Sequence, residues 1–371
     1  MGLTSDVVLA VAVGSAVALF AATVWLWPRL ARRGLRAVAG RIGLLLATQV
    51  ALFASVGLAA NQAFGFYASW ADLFGREDDL GVVVDHAAGG GLEVLESARV
   101  AGAPGVRPES GGRVQKVAVV GRTTDIATHA YVYLPPEYFQ PRHRARDFPA
   151  AVVLTGYPGT AKALVDKLHF PRTARELAAA GRMEPMILVM LRPTVAPPRD
   201  TECVDVPGGP QAESFFAKDL PEVVAAHYRV DAKPGRWGVV GDSTGGYCAL
   251  KLAMHHPGVF GAGVGLSAYY KAPVDATTGD LYQGDEAVRN RADLWWCLEH
   301  LPAPDTSLLV TSSKSGESNY KDTLKFIERV KAAPPTRISS IILESGGHNF
   351  NTWRREIPAA LEWMSGRLTE A

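Results

Sequence analysis

The sequence predicts an α/β domain with a mostly parallel sheet, preceded by two membrane-spanning helices. Two observations carry this prediction. Short apolar runs alternate with helical patterns from residue 116 onward, and two long uncharged runs, residues 7–27 and 42–60, lie near the N-terminus. Alternating β and α units form a parallel sheet covered by helices on both faces.

The composition of the 371 residues is that of a folded protein without a strong charge bias. Hydrophobic residues make up 48% and charged residues 20%, which is ordinary for a folded chain. The 38 basic and 37 acidic side chains give a formal net charge of +1. Nucleic-acid binding needs a strongly positive surface, so we expect no nucleic-acid partner.

The two uncharged runs predict a membrane hairpin within residues 1–74. At about 1.5 Å per residue, each run crosses the roughly 30 Å hydrocarbon core of a bilayer. The segment 29–41 between them holds five arginines and no acidic residue. Positive charge beside a span stays in the cytoplasm, so the segment after the second span is predicted to lie outside. We therefore expect a multi-pass protein of the cell membrane with its C-terminal domain outside the cytoplasm.

Two alternatives to the membrane hairpin are a cleaved signal peptide and a buried helical hairpin of the globular domain. A signal peptide carries positive charge ahead of its apolar stretch. Here no lysine or arginine precedes Val7, so the membrane hairpin is preferred.

Residues 75–115 are rich in glycine, alanine and acidic residues and are predicted to be a linker, with the α/β domain at 116–371. The predicted strands lack a clean apolar–polar alternation, as expected of strands buried on both faces. They are 116–120, 130–134, 150–154, 186–190, 237–240, 261–265, 308–310 and 338–343. Helical patterns lie at 173–180, 215–227, 246–255 and 324–330.

The strongest chemical signal follows the predicted strand 237–240. Gly241-Asp-Ser243-Thr-Gly245 matches G-x-S-x-G and lies between a strand and a helix, the context of a nucleophile elbow. Ser243 is therefore the predicted nucleophile. At the start of the helix, the backbone N–H of Thr244 is placed to stabilise an oxyanion.

A serine nucleophile needs a histidine base, and the chain has nine histidines. Only His300 and His348 follow both the elbow and a further strand. His348 lies in a glycine-rich loop after the strand 338–343, whereas His300 lies at the end of a helical pattern. His348 is the predicted base.

The acid that orients the base is expected in the loop after the strand 308–310, within reach of the histidine loop. Glu317 lies in this loop, and Asp322 lies where the next helix has begun. A carboxylate in the first turn of a helix favours the helix dipole. Glu317 is preferred, and Asp322 is the alternative.

Several segments resemble the α/β-hydrolase esterases of the esterase D, enterochelin esterase and mycolyltransferase group. They are the elbow, Phe-Ala-Lys-Asp-Leu-Pro at 216–221, His-Tyr-Arg-Val-Asp at 227–231, and Gly-Gly-His with its following tryptophan at 346–353. The resemblance covers roughly residues 115–368 and implies an α/β-hydrolase fold. It also favours Glu317, because glutamate is one of the acids found in the mycolyltransferase-like branch.

The segment 154–159, Leu-Thr-Gly-Tyr-Pro-Gly, occupies the place of the family's His-Gly oxyanion loop. The resemblance therefore implies that Tyr157 supplies the second oxyanion N–H. The usual histidine is replaced here by Thr155, which weakens the match more than the mechanism, because the loop donates through its backbone.

The three cysteines, Cys203, Cys248 and Cys297, show no spacing typical of a zinc site. The sequence also lacks a dinucleotide-binding glycine motif after the first strand, a Walker A motif and His-Glu-x-x-His. We expect neither cofactor nor metal. In an outward-facing domain we expect a disulfide between Cys203 and Cys297, with Cys248 buried in the elbow helix.

Five aromatic residues lie in the region between the predicted strands 261–265 and 308–310, where insertions commonly cover the pocket. They are Tyr269, Tyr270, Tyr282, Trp295 and Trp296. Two interpretations stay open, a substrate-binding roof and ordinary core.

The sequence thus predicts a membrane-anchored, outward-facing serine esterase that cleaves a small-molecule, lipid or glycan ester through an acyl-enzyme. One alternative is a cell-envelope acyltransferase of mycolyltransferase type. A second alternative is an inactive envelope scaffold, against which the complete set of nucleophile, acid and base candidates argues.

Overall fold

The computed structural model describes residues 6–31, 34–64, 90–102, 107–197, 199–231 and 233–369. The chain divides into two compact units, residues 1–78 and 79–371.

The first unit consists of two long helices, α1 (Asp6–Leu30) and α2 (Leu35–Phe64). Within them the apolar stretches Val7–Leu30 and Leu35–Gln62 have mean hydropathies of 2.5 and 2.0, and few of their residues are buried. Thr23 and Thr48 connect the helices through their hydroxyl groups, 3.0 Å apart. The second helix begins before residue 42, so it extends beyond the uncharged run that predicts it.

The second unit is built on one nine-stranded sheet whose spatial order is β1-β2-β3-β5-β4-β6-β7-β8-β9. The first three strands are antiparallel, and the strands from β5 to β9 run parallel to one another. The strands are β1 (Gly91–Ala98), β2 (Arg113–Val120), β3 (Ala127–Leu134), β4 (Ala150–Leu154), β5 (Ile187–Leu191), β6 (Trp237–Asp242), β7 (Phe260–Leu266), β8 (Ser307–Ser315) and β9 (Arg337–Ser345). All eight predicted strands are present, and the predicted α/β class is confirmed.

Helices lie between and after these strands. They are α3 (Pro108–Gly111), α4 (Pro136–Phe139), α5 (Ala161–Asp166), α6 (Phe170–Ala179), α7 (Ala212–Ser214), α8 (Leu220–His227), α9 (Thr244–His255), α10 (Glu286–Arg291), α11 (Leu294–His300), α12 (Tyr320–Lys331) and α13 (Phe350–Thr369). A 3₁₀ turn occupies Pro141–His143, and a π-helical turn at Phe215–Asp219 joins α7 to α8.

The predicted linker, residues 75–115, contains a strand. Strand β1 lies inside it and pairs antiparallel with β2 along the edge of the sheet. Both faces of β1 are largely exposed, so it carries no apolar alternation that would reveal a strand. Residues 65–89, which include part of the predicted hairpin and linker, lie outside the described residues.

The sheet separates two hydrophobic layers, because successive side chains of a strand point to opposite faces. Val152 and Val239 belong to the layer under the elbow helix α9, whereas Val153 and Val240 belong to the layer under α13. On the side of α13 the helix packs closely against β6, since a Cβ on Gly238 would lie 2.5 Å from the sulfur of Met364. The core therefore holds β4 and β6 rigidly from both faces.

Strand order reverses between β4 and β6. The chain leaves β4 for β5 on one side, whereas β6 leads to β7 on the other. Such a reversal opens a crevice at the carboxyl ends of the two strands, where open α/β sheets bind ligands. The loop after β4 and the elbow after β6 both lie at this crevice.

Candidate active site

Ser243 lies in a sharp turn between β6 and α9. Its backbone adopts φ 53° and ψ −120°, a strained conformation for a residue with a side chain. The positions two residues before and after Ser243 must be glycine, because a side chain at either one would overlap neighbouring backbone atoms. A Cβ on Gly241 would lie 2.4 Å from the backbone of Gly245, and one on Gly245 would lie 2.3 Å from the carbonyl oxygen of Leu154. The spacing of G-x-S-x-G thus follows from close backbone packing.

His348 lies in the loop between β9 and α13, and its Nε2 is 2.8 Å from the Oγ of Ser243. The imidazole contacts Trp353 edge to face, with ring centres 5.1 Å apart. The side chain of His348 is partly exposed, yet partial burial of its ring holds the pKa of the imidazole below the ordinary histidine value. A neutral imidazole at hydrogen-bond distance from a serine hydroxyl is the arrangement that allows it to accept the proton.

The structure places Glu317 against Ser267 and not against His348. The Oγ of Ser267 donates to Glu317 Oε1 and accepts the indole N–H of Trp353 at 2.8 Å. Burial raises the pKa of Glu317. Among the described residues, no carboxylate hydrogen-bonds to His348. Glu317 is therefore linked to the base through Ser267 and Trp353.

Asp322, the alternative acid, lies in the first turn of α12 with its side chain largely exposed. It pairs with Lys325 at 3.3 Å. This is the helix-end environment that its position predicts, and the structure brings it into no contact with His348 or Ser243.

Glu356, on α13, is a buried carboxyl group that sequence reasoning missed. Its Oε2 accepts a hydrogen bond from Thr311 at 2.8 Å, and Thr311 in turn accepts the backbone N–H of Ser267. Burial raises the pKa of Glu356 to about 8, and the nearby Glu317 adds to the rise. The sequence offers only a glutamate three residues after Trp353, without a motif to single it out.

The two predicted oxyanion donors lie in the elbow and in the loop that packs against it. Thr244 begins α9 directly after Ser243 and is buried. Tyr157 follows Gly156, whose added Cβ would lie 2.9 Å from the Cβ of Ser243. The N–H of Gly156 donates to Asp242 Oδ2 at 3.0 Å. The backbone N–H of Gly156 is thus already hydrogen-bonded, and the next backbone N–H in the loop is that of Tyr157.

The predicted Cys203–Cys297 disulfide is wrong. Cys203 is bonded to Cys248 of the elbow helix, with Cα atoms 5.7 Å apart, and Cys297 is a buried free thiol. The prediction places the loops that Cys203 and Cys297 flank above the same end of the sheet, but the loop after β5 folds onto α9, where Cys203 meets Cys248. Cys297 instead contacts His255, at 3.5 Å.

Next to this disulfide lies Glu202, a second buried acid that sequence reasoning missed. Tyr269 donates its hydroxyl hydrogen to the Glu202 carboxylate and also bonds to the side chain of Thr244. Burial raises the pKa of Glu202 to about 8. The loop after β5 is therefore connected to the elbow by a disulfide and by this hydrogen-bonded chain.

The three tyrosines among the five aromatic residues expected as either roof or core are divided by the structure. Tyr270 and Tyr282 are buried core residues, and Tyr270 stacks on Phe326 at 4.1 Å. Tyr269 stacks on Tyr247 of the elbow helix at 5.1 Å. Tyr269 is therefore the one of these three that also reaches the elbow, through Thr244.

A sheet whose β6 ends in a strained serine elbow, with a histidine loop after its last strand, defines the α/β-hydrolase fold. The family model described as "Putative esterase" matches residues 122–364, about two thirds of the chain. The protein belongs to this esterase family, whose members are serine hydrolases.

Individual relatives are distant. An uncharacterized protein of Corynebacterium glutamicum is 23% identical over 282 residues, which cover 71% of this chain and 64% of that protein. The match thus spans less than two thirds of the relative's length.

Solved structures support the fold. A ferulic acid esterase superposes with a TM-score of 0.58 at 18% identity, covering 69% of this chain and 98% of that chain. An S-formylglutathione hydrolase from Agrobacterium tumefaciens superposes with a TM-score of 0.56 at 17% identity, covering 73% and 100%.

Proposed function

We propose that the protein is a membrane-anchored serine esterase whose domain outside the cytoplasm cleaves a carboxylic ester through an acyl-enzyme. The observation that carries the chemistry is the 2.8 Å distance between Ser243 Oγ and His348 Nε2 at a strained elbow. Family membership supports the choice of an ester as substrate.

In this mechanism Ser243 attacks the ester carbonyl while His348 takes the hydroxyl proton and passes it to the leaving alcohol. The oxyanion is held by the backbone N–H groups of Thr244 and Tyr157. Water, activated by the same imidazole, then hydrolyses the acyl-enzyme.

Glu317 is proposed as the acid that orients His348. Its loop after β8, its half-buried carboxylate and its connection through Ser267 and Trp353 support this role. Exposed Asp322 offers none of these features.

A fluorophosphonate probe tests the nucleophile. We expect covalent labelling of the full chain in detergent, loss of labelling in Ser243→Ala, and recovery of the probe on the peptide containing residue 243. Labelling that survives Ser243→Ala would contradict the proposal, as would an unreactive wild-type protein.

Anchoring in a membrane is supported by α1 and α2. Their apolar stretches hold 24 and 28 residues, and at ~1.5 Å per residue each exceeds the roughly 30 Å hydrocarbon core of a bilayer. Large apolar side chains along both helices are exposed, among them Trp25 and Phe53. A helix whose apolar side chains face outward needs an apolar solvent.

The orientation is supported by the arginines of segment 29–41 and by the Cys203–Cys248 disulfide. Disulfides persist mainly outside the cytoplasm. A reporter fused at Gly34 should behave as cytoplasmic and one fused at the C-terminus as external. The reverse pattern would overturn the orientation.

A further inference from the structure

Asp242, the residue before the nucleophile, is an acid with no role in the mechanism above. It ends β6 and is only 1% exposed. Its Oδ2 accepts the N–H of Gly156 at 3.0 Å, and its Oδ1 is buried without a partner among the described residues. A buried acid one residue from the elbow calls for a physical explanation.

The carboxylate of Asp242 accepts a hydrogen bond from the loop after β4, and this loop packs directly against the elbow. A Cβ on Gly156 would lie 2.9 Å from the Cβ of Ser243 and 3.1 Å from Asp242 Oδ2. There is no space between the loop and the elbow for a side chain. Any displacement of Gly156 therefore changes its position relative to the nucleophile.

Two hydrogen bonds fix the direction of the peptide that follows Gly156. The N–H of Gly156 is held by Asp242, and the carbonyl oxygen of Gly156 accepts the N–H of Gly159 at 2.8 Å. The Gly156–Tyr157 peptide is trans, so the N–H of Tyr157 points opposite to the carbonyl of Gly156. The hydrogen bond from Gly156 to Asp242 and the one from Gly159 to Gly156 together determine the direction of the Tyr157 N–H.

We propose that Asp242 is a positioning residue for the oxyanion hole, holding the loop after β4 so that the Tyr157 N–H faces the reacting carbonyl. This inference rests on the proposed function. Burial raises the pKa of Asp242 to about 7, and the hydrogen bond from Gly156 opposes the rise. The loop thus stabilises the charged carboxylate, and the carboxylate fixes the loop.

The expected signature is a loss in kcat without a matching change in KM. An oxyanion forms only in the transition state, so a misplaced donor leaves ground-state binding intact. Loss of one oxyanion donor lowers kcat on the order of 10²–10³-fold. We expect the kcat of Asp242→Ala to fall by about 10²-fold.

The test measures kcat and KM for a short-chain aryl ester with the full chain in detergent. Asp242→Asn keeps an oxygen that accepts the Gly156 N–H and should recover to within about tenfold of wild type. Asp219→Asn is the matched control, because Asp219 is also buried and also holds backbone N–H groups, those of Thr123 and Thr124. Its kcat should stay near that of wild type even if its melting temperature falls.

The proposal is overturned if Asp242→Ala loses no more kcat than Asp219→Asn, if Asp242→Asn is as impaired as Asp242→Ala, or if KM alone changes. If Asp242→Ala does not fold, Asp242→Leu replaces it, because leucine fills the same space without an acceptor. Retention of wild-type turnover by Ser243→Ala would instead refute the proposed function itself.

Discussion

Replacing both Cys203 and Cys248 by alanine tests how the loop after β5 is held on the elbow helix. The bond closes a chain segment with a sequence separation of 45. The entropy lost by the unfolded chain on closing a loop of that length corresponds to about 4 kcal/mol at room temperature. At about 2–4 °C per kcal/mol for a large domain, the double variant should melt about 8–16 °C below wild type.

Cys297→Ala is the matched control, since it also removes a buried cysteine side chain but breaks no covalent bond. Thermal unfolding of the detergent-solubilised chain, followed by near-UV circular dichroism, measures both variants. Peptide mapping without reduction should recover the peptides of Cys203 and Cys248 joined together. A shift for Cys297→Ala equal to that of the double variant, or a joined Cys203–Cys297 peptide, would refute the pairing.

Two further substitutions test the packing and the charge of the site. In Gly245→Ala the new Cβ would lie 2.3 Å from a backbone oxygen of β4. We therefore expect thermal unfolding to show a destabilisation of about 1–3 kcal/mol. Gly258 has open space around it, so the control Gly258→Ala should keep a melting temperature close to that of wild type. Equal melting temperatures would contradict the packing argument. Glu317→Gln should lower the turnover of an aryl ester by disturbing the hydrogen bonds through Ser267 and Trp353 that connect Glu317 to the imidazole, whereas Asp322→Asn should keep the turnover of wild type. The opposite ranking would move the acid to Asp322.

The parts of the fold that were predictable are those encoded by local pattern. Strands such as β4 and β6 are continuous apolar runs because both of their faces are covered. The elbow is also local, because its glycines and serine are consecutive and the close packing of Gly245 on Leu154 permits no other residue. The position of His348 after the last strand follows from chain order.

What escaped prediction depends on tertiary contacts. Cys203 meets Cys248 because the loop after β5 folds onto α9, and no spacing in the sequence encodes that fold-back. Strand β1 has exposed faces, so only its backbone pairing with β2 identifies it. The buried acids Asp242 and Glu356 look like ordinary charged residues until the groups that cover them are known.

The proposed mechanism depends most on Ser243 as the attacking group, and the turnover of Ser243→Ala on a short-chain aryl ester tests this most directly. The substitution removes only the hydroxyl, so the fold should be retained and thermal unfolding should be close to that of wild type. We expect kcat/KM to fall by on the order of 10⁴-fold or more, with no acyl-enzyme in intact-mass spectra. Near-normal turnover by the purified, folded variant would contradict the serine-esterase mechanism.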